Sequence, residues 1–374
     1  MNLAGALGAS LLFAILAFAA TEQWALSIAQ GMIFLLGITC AIRRKLRWSP
    51  LALAPAGVAI IGLTQLTTGV SVYRFVTENA IVNWVAYLVL LLVSLEAFAC
   101  PETRRRFLRT SLYVGFAIAM LSMAQYFTSD GAIYWIFPTR SGRPFGPFVN
   151  PDNYAAFVEL ILPLAIYEAG RVRTARWAHT AIVGALYGSV IASASRAGAV
   201  LVTVEILALP LLARRPAAAA KLIAMSVAFA GLATAVVGWD VLWRRFQERD
   251  PFQNRREILA STLQMIGRRP WTGFGLGAYA TVYPEFATFD VGLVVDHAHN
   301  DWAEWAAEGG VPMLLLLMPL AVFTLRRAIR SGWALGIHAV FLHSLVDFPM
   351  QIPAIAFLVF TLLGALYSDR ASEP

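Results

Sequence analysis

Long apolar runs separated by short polar segments dominate the hydropathy pattern of this chain. A membrane-spanning helix needs about 17–25 predominantly apolar residues, and several runs lie close to the lower limit. Twelve runs qualify, at roughly 3–20, 24–42, 51–69, 80–100, 107–127, 153–169, 178–194, 197–213, 220–238, 311–326, 333–348 and 351–368. The pattern predicts an all-α, polytopic membrane protein of about twelve transmembrane helices, forming a single integral membrane domain over residues 1–374.

The composition excludes a soluble protein. Of the 374 residues, 59% are hydrophobic and 14% are charged, and the mean hydropathy is +0.67; a water-soluble domain has no interior large enough to bury this much apolar surface. The first run lacks a basic n-region and a cleavage site, so we expect no cleaved signal peptide. Cys40 and Cys100 are the only cysteines, which excludes a disulfide framework or a cysteine-based metal site.

The distribution of lysine and arginine predicts the orientation of the chain. With the N-terminus in the cytoplasm, every cytoplasmic connection is basic, as the positive-inside rule requires. The residues concerned are Arg43, Arg44, Lys45, Arg47, Arg104, Arg105, Arg106, Arg109, Arg171, Arg173, Arg176, Arg214, Arg215, Lys221, Arg326, Arg327, Arg330 and Arg370. Both termini are therefore predicted to be cytoplasmic, and the net charge of +7 reflects membrane topology rather than nucleic-acid binding.

Three segments on the opposite side carry polar chemistry: the loop 128–152, the turn 193–198 and the long loop 239–301. Positive charge on this side runs against the usual bias, so the arginines there indicate a local use. The long loop contains the densest group, Arg244, Arg245, Arg249, Arg255 and Arg256. We expect this loop to carry the active site.

Residues 255–269 have the spacing of an amphipathic helix. Ile258, Leu259, Thr262, Leu263 and Ile266 recur on one helical face. Arg255 lies near the middle of that face and Arg256 at its edge.

An arginine on the inward face needs an anionic partner, because a buried unpaired guanidinium is costly. The partner of Arg255 is either a protein carboxylate or a phosphate group, whose oxygens a guanidinium can bind in pairs. Arg196, in the turn 193–198, has two similar interpretations: a side chain that extends to the membrane interface, or an anchor for an anion. Arg143 is a weaker candidate of the same kind.

The segment 296–301 is the candidate catalytic motif, with His297 and His299 flanked by Asp296 and Asp301. Asn300 is a suitable N-cap for a helix that Gly309 and Gly310 would close.

At the positive end of that helix, His299 would be held neutral and able to act as a base. Asp296, Asp301 or Glu304 would orient its ring. Two histidines at i, i+2 without further ligands are a weak metal signal, so the pattern favours chemistry without a metal or cofactor.

Several ionisable residues lie within the apolar runs, where such residues are functional candidates. They are Glu96, Glu159, Glu205, His338, His343 and Asp347. His343 and Asp347 are spaced to pair on one helix face, and a structural bond between helices is the alternative.

Five stretches, in this order, resemble the O-antigen ligase and polymerase superfamily of bacterial inner-membrane glycosyltransferases. They are FVNPDNYAAFVELILPLAI (148–166), SASRAG (193–198), NRREILASTLQMIGRRPWTGFGLGAY (254–279), HAHNDWAEWAAEGGVP (297–312) and HSLVDFPMQIP (343–353). The resemblance covers about residues 145–355 and implies a fold like that of C-type membrane glycosyltransferases.

The resemblance also implies a reaction and a site. The donor would be a glycan on undecaprenyl diphosphate, transferred on the periplasmic side of the inner membrane to lipid A–core or to another lipid-linked glycan. Arg196 and Arg255 match the arginines that bind the diphosphate, and His299 matches the proposed base. Secondary contributors would be Arg256, Arg143, His297, Asp301 and Glu304.

Three functions are compatible with these features. A ligase and a polymerase differ only in the acceptor, and the sequence favours a ligase slightly. A transporter of the same lipid-linked glycan would use a cationic cavity without a base. It would also carry charges through the middle of the membrane, whereas here the charges are concentrated at the outer face.

Overall fold

The computed structural model describes residues 3–43, 47–139, 143–172, 174–208, 216–247, 253–288, 292 and 294–368. Within these ranges the regular secondary structure is helical apart from the two-residue strands β1 (Ala132–Ile133) and β2 (Phe137–Pro138). The helices are α1 (Leu3–Leu16), α2 (Gln23–Arg43), α3 (Leu53–Thr67), α4 (Arg74–Ala97), α5 (Pro101–Thr128), α6 (Pro151–Arg171), α7 (Arg176–Ser193), α8 (Arg196–Ala208), α9 (Pro216–Val237), α10 (Asp240–Phe246), α11 (Gln253–Arg268), α12 (Tyr279–Val282), α13 (Asp301–Ser331), α14 (Leu335–His343) and α15 (Pro353–Tyr367). The all-α prediction is confirmed.

The predicted apolar runs coincide with helices. Each run overlaps one of α1 to α9 or α13 to α15. In the described part of the chain, six stretches are long and apolar enough to cross a membrane: Gln23–Arg43, Pro50–Thr67, Arg74–Ala97, Pro101–Thr128, Ala219–Val237 and Asp301–Ser331. A membrane protein with several spans is therefore supported, while the count of twelve and the orientation stay predictions.

Helices α6 and α15 form the centre of the bundle. Both are apolar on nearly all sides, and nearly all of their side chains are buried. α15 packs against α4 and α1, whereas α6 packs against α5, α7, α8 and α14. The start of α6 is therefore held on several sides, and it carries Asp152 and Asn153 in its first turn.

The sequence at the start of α6 explains why the helix begins there. The Asn150 side-chain oxygen accepts a hydrogen bond from the Asp152 amide at 2.9 Å, and Pro151 follows at the first helical position. Asparagine is a preferred N-cap, and proline there lacks only an amide hydrogen that the helix does not use. Asp152 is thereby fixed at the positive end of the helix.

Helix α13 is interrupted at Gly310, whose φ of 71° and ψ of −176° are not helical. A Cβ at Gly310 would lie 2.7 Å from the carbonyl carbon of Trp271, and the Val311 amide donates to the Pro270 oxygen at 2.7 Å. The predicted end of the first helical segment at Gly309 and Gly310 is confirmed as a kink, after which the helix continues to Ser331.

Helix α11 confirms the predicted amphipathic helix and its inward arginine. Arg255 is partly buried and Arg256 is exposed. The buried face consists of Ile258, Ser261, Thr262 and Met265. The assignment of Leu263 to this face was wrong, since its side chain is 58% exposed. The buried face is shifted towards Ser261 and Met265, and Leu259 and Ile266 are only partly buried. α11 packs against α13, which brings Arg255 towards the histidine motif.

Candidate functional site

Asp347 joins the candidate base to the candidate anion-binding arginine. Its Oδ1 lies 3.0 Å from His299 Nδ1, and its Oδ2 accepts from Arg255 Nη2 at 3.3 Å. The same Nη2 donates to Asp152 Oδ2 at 3.1 Å, and Nη1 donates to the Val346 carbonyl at 2.9 Å. Asp347 is almost completely buried, with 1% of its side chain exposed. Segments that are far apart in the sequence, around Arg255, His299 and Asp347, thus meet at the buried Asp347 carboxylate.

The Arg255 contacts correspond to one of the two predicted alternatives, an ion pair with protein carboxylates. Burial by itself lowers the pKa of Arg255, but the charges of Asp347 and Asp152 raise it above its usual value, so the guanidinium stays charged. About a quarter of the side chain remains exposed. Because a guanidinium carries five N–H donors, these contacts do not prevent it from binding an anion as well.

His299 is held in an uncommon backbone conformation just before α13. Its φ is +50°, in the left-handed region that histidine and asparagine enter more readily than most residues. The next residue, Asn300, is the N-cap, as predicted: its Oδ1 accepts from the Ala303 amide at 2.9 Å. Its Nδ2 donates to the Leu345 carbonyl at 2.8 Å, which fixes the motif next to the loop that carries Asp347.

The prediction that Asp296, Asp301 or Glu304 orients His299 was wrong. Asp301 is fully buried and accepts from Ser344 Oγ at 2.7 Å and from the Met350 amide at 3.0 Å. Glu304 binds the other histidine and the Ala298 amide. These carboxylates lie on α13 and hold the surrounding loops, because the left-handed turn at His299 directs its ring towards the loop after α14 instead.

His297 forms a separate pair with Glu304. Its Nδ1 lies 2.9 Å from Glu304 Oε1, and 30% of the His297 side chain is exposed. The ring stacks on Phe348, with centroids 4.4 Å apart and planes at 26°. Burial by itself lowers the pKa of His297, but the Glu304 carboxylate outweighs this effect and raises the pKa to about 9. His297 is therefore a cation at neutral pH and a poor base.

Replacing His297 by glutamine should reveal this charge as a pH-dependent stability difference. The pKa is about 9 in the folded protein and about 6.5 in an unfolded chain. The stabilisation is thus fully present below about pH 6.5 and is lost as the pH rises through about 9. Thermal unfolding of both proteins in detergent, from pH 6 to 10, should show a gap in Tm that is widest near pH 6. A gap that does not change with pH would contradict the assignment.

Arg196 opens α8, after a turn in which Ala194 is left-handed with φ of 57°. Its Nη1 donates to the Arg245 carbonyl at 2.9 Å, and Arg245 Nη1 donates in return to the Ala194 carbonyl at 2.8 Å. These reciprocal bonds dock α10 on the turn between α7 and α8. They place two guanidinium groups at the positive end of a helix, which is a favourable place for an anion.

Arg196, Arg245 and Arg255 line one cavity of about 360 Å³, named here the cationic cavity. Its lining consists of Asp152, Arg196, Ala197, Val200, Leu201, Arg245, Phe246, Arg255, Leu342 and Val346. Apart from the four charged residues this wall is apolar, and Val200 and Leu342 are more than half exposed on the outer surface. Such a cavity suits an anionic head group attached to a hydrocarbon chain.

The two histidines line a second cavity of about 590 Å³, named here the histidine cavity. Its lining consists of Ala19, Thr21, Phe148, Val149, Asn150, Asn153, Asn254, Arg255, Ile258, Val294, Val295, Asp296, His297, His299, Phe348 and Ile352. Arg255 belongs to both linings. Arg255 therefore lies between the cationic cavity and the cavity lined by the histidines and amides.

Two of the residues predicted as secondary contributors lie away from the two cavities, whereas the residues predicted to bind the diphosphate or act as the base line them. Arg256 and Arg143 are exposed, and neither is among the described residues that line the two cavities. Arg249 lies outside the described residues. His299 lines the histidine cavity, Arg196 lines the cationic cavity, and Arg255 lines both, so Arg255 connects the other two candidates.

His343 pairs with Glu159 of α6 rather than with Asp347. His343 Nδ1 lies 2.7 Å from Glu159 Oε1, and both side chains are fully buried. The predicted alternative, in which His343 forms a bond between helices, is therefore confirmed. The pairing of His343 with Asp347 on one helix face was wrong.

Within the described residues, one group of side chains has the spacing of a metal site. Ligand atoms of Asp152, His343 and Asp347 lie within 4.8 Å of one another. The Arg255 guanidinium already contacts both carboxylates and would repel a metal cation there. His297 and His299 are each bound through Nδ1 to a different carboxylate, so their pairing gives little support to a shared ion.

Sequence reasoning missed the roles of Asp152 and Phe348 and gave Asp347 a different partner. Asp152 and Asp347 lie 195 positions apart in the chain, and nothing local links either of them to Arg255. The one available signal was the inward position of Arg255, which requires an anion. Both aspartates stand in stretches that carry the family resemblance.

Comparison with known protein families supports the interpretation of the sequence. Residues 157–318, somewhat under half of the chain, match the family model described as O-antigen ligase. The match includes Arg196, Arg255 and His299, whereas Asp152 and Asp347 lie outside it. A search of curated proteins found no match. The family match confirms the resemblance to the O-antigen ligase and polymerase superfamily and supports a membrane enzyme of glycosyltransferase type.

Proposed function

We propose that this protein transfers a glycan from undecaprenyl diphosphate to a hydroxyl group of lipid A–core, on the periplasmic side of the bacterial inner membrane. The observation that carries the proposal is the link from His299 through Asp347 to Arg255, since it connects a base to the anion site. His299 and Arg255 line the same cavity, and Arg255 also lines the next one.

The donor diphosphate fits the cationic cavity. Arg196, Arg245 and Arg255 supply positive charge, and Val200, Leu201 and Leu342 supply an apolar wall for the prenyl chain. Preorganised cations stabilise charge that develops on a leaving group. The diphosphate gains charge as its bond to the anomeric carbon breaks, so the arginines would favour the transition state over the bound donor.

His299 would act on the acceptor. Its Nδ1 is held by Asp347 at 3.0 Å, which leaves Nε2 to take the proton of the attacking hydroxyl, while the carboxylate stabilises the resulting imidazolium. The acceptor oxygen bonds to the anomeric carbon as the diphosphate leaves from the opposite face. The anomeric centre is inverted, and the proton remains on His299 until it is released to water. No step requires a metal.

The test is reconstitution with purified full-length protein. An undecaprenyl-diphosphate glycan is supplied with and without lipid A–core, and the products are weighed by mass spectrometry. We expect glycosylated lipid A–core only when that acceptor is present. Longer lipid-linked glycan without it would instead identify a polymerase. Movement of the intact donor across a vesicle membrane, without any new glycosidic bond, would identify a transporter and overturn the proposal.

A further inference from the structure

We propose that the histidine cavity binds a sugar unit of the acceptor and that Asn153 accepts a hydrogen bond from one of its hydroxyl groups. This inference deepens the proposed function and rests on it, because the acceptor hydroxyl is the group that His299 would deprotonate. It adds a specificity-determining residue to a site otherwise described by its base and its arginines.

The two cavities differ in chemistry as donor and acceptor do. The cationic cavity combines arginines with an apolar wall, whereas the histidine cavity is lined by three asparagines and a threonine. Uncharged amides can both donate to and accept from sugar hydroxyls. A volume of about 590 Å³ also lies in the range of pockets for small ligands, about 300–1,000 Å³.

Asn153 carries an unmet hydrogen-bonding requirement. Its side chain is 4% exposed, and its Oδ1 has no hydrogen-bond partner among the residues that the structure describes. Asn150, on the same cavity, is instead committed to capping α6. Buried polar atoms without partners are uncommon in folded proteins, and the first turn of α6 holds this one in place. A ligand hydroxyl in the cavity would supply the missing donor.

The position of His299 assigns the cavity to the acceptor rather than to the donor glycan. The hydroxyl that loses its proton must reach His299 Nε2, and His299 lines this cavity and not the cationic one. His297 adds a second contact: its Nδ1 is bound to Glu304, so the protonated ring presents Nε2–H as a donor. The His297 ring is fixed by its stacking on Phe348.

The experiment compares Asn153→Ala with the wild type in the reconstituted transfer reaction. We expect the acceptor KM to rise about threefold to tenfold, the range that the loss of one hydrogen bond gives. The donor KM and kcat should stay close to the wild-type values. Asn83→Ala is the matched control, because it removes an amide bonded to Gln30 at 2.7 Å outside both cavity linings; it should change neither KM.

A binding measurement separates this inference from the proposed function. The probes are two soluble, lipid-free sugars, the core oligosaccharide released from lipid A–core and one repeat unit of the donor glycan. One of them should bind the wild type, and Asn153→Ala should raise its Kd by the same factor as the KM. Asn153→Thr keeps a side-chain oxygen and should show a smaller increase; it replaces the alanine variant where that variant does not fold.

Each result decides between the two proposals. Unchanged acceptor KM and Kd in Asn153→Ala, or an increase confined to the donor KM, would overturn the acceptor site while leaving the transferase intact. If the wild type binds a sugar and Asn153→Ala binds it more weakly, but the wild type catalyses no transfer, the proposed function is refuted and the sugar site is retained. A wild type that neither binds a sugar nor catalyses transfer would refute both.

Discussion

Replacing His299 by asparagine should reduce kcat for glycan transfer by about 10²–10⁴-fold, the contribution that a positioned general base makes. Asparagine is the sharper choice than alanine, because position 299 has φ of +50° and asparagine accepts this conformation readily. The substitution therefore removes the imidazole with little change to the turn before α13. Single-turnover transfer to lipid A–core, with both substrates saturating, measures the loss.

The control for this variant is His338→Gln, which alters a histidine on α14 bound to the Ala321 carbonyl at 3.0 Å, outside both cavity linings. It should retain most of the activity. His299→Ala should be as inactive as His299→Asn but less stable. An asparagine variant that folds and transfers glycan at the wild-type rate would show that His299 is not the base.

Local sequence patterns predicted much of the fold and part of the site. The N-cap at Asn300, the break at Gly310 and the inward position of Arg255 each depend on a few neighbouring residues. Their physical causes act within one or two helical turns: a side chain that satisfies a backbone amide, a glycine at a positive φ, and the angular spacing of residues on a helix.

The partners of the site residues could not be predicted in the same way. Asp347 lies 48 positions from His299 and 92 from Arg255, and the three meet only when α14, α13 and α11 are packed. Asp301 and Glu304 are closer to the histidines in sequence, which made them the natural prediction for orienting His299. Proximity along the chain was misleading because the turn at His299 directs the ring towards Phe348 and Asp347.

The arrangement couples the two halves of the proposed reaction through one charged group. Asp347 accepts from the base with one oxygen and from Arg255 with the other. As His299 takes a proton, the new imidazolium is balanced by this carboxylate. As the interaction of Asp347 with His299 becomes stronger, its interaction with Arg255 becomes weaker. The positive charge of Arg255 is then less neutralised by Asp347 and stabilises the departing diphosphate more strongly. Proton removal and departure of the leaving group are therefore expected to support each other.

Replacing Asp347 by asparagine should lower kcat by an amount that approaches the loss in His299→Asn, about 10²–10⁴-fold, because a neutral amide no longer stabilises the imidazolium and permits the wrong tautomer. Asp152→Asn is the matched comparison. Asp152 also holds Arg255, at 3.1 Å, but the carboxylate bound to His299 Nδ1 is that of Asp347, so the loss of activity in Asp152→Asn should be smaller.

The double variant His299→Asn/Asp347→Asn distinguishes this role from a purely structural one. Residues that act as a unit give non-additive losses, so the double variant should be no slower than His299→Asn alone. Losses that simply multiply would mean that Asp347 supports the fold or the donor site independently of the base. Asp152→Asn and Asp347→Asn each remove one of the two carboxylates that hold the Arg255 guanidinium. The donor KM, measured in the same series, therefore shows how much the loss of a carboxylate partner of Arg255 changes donor binding.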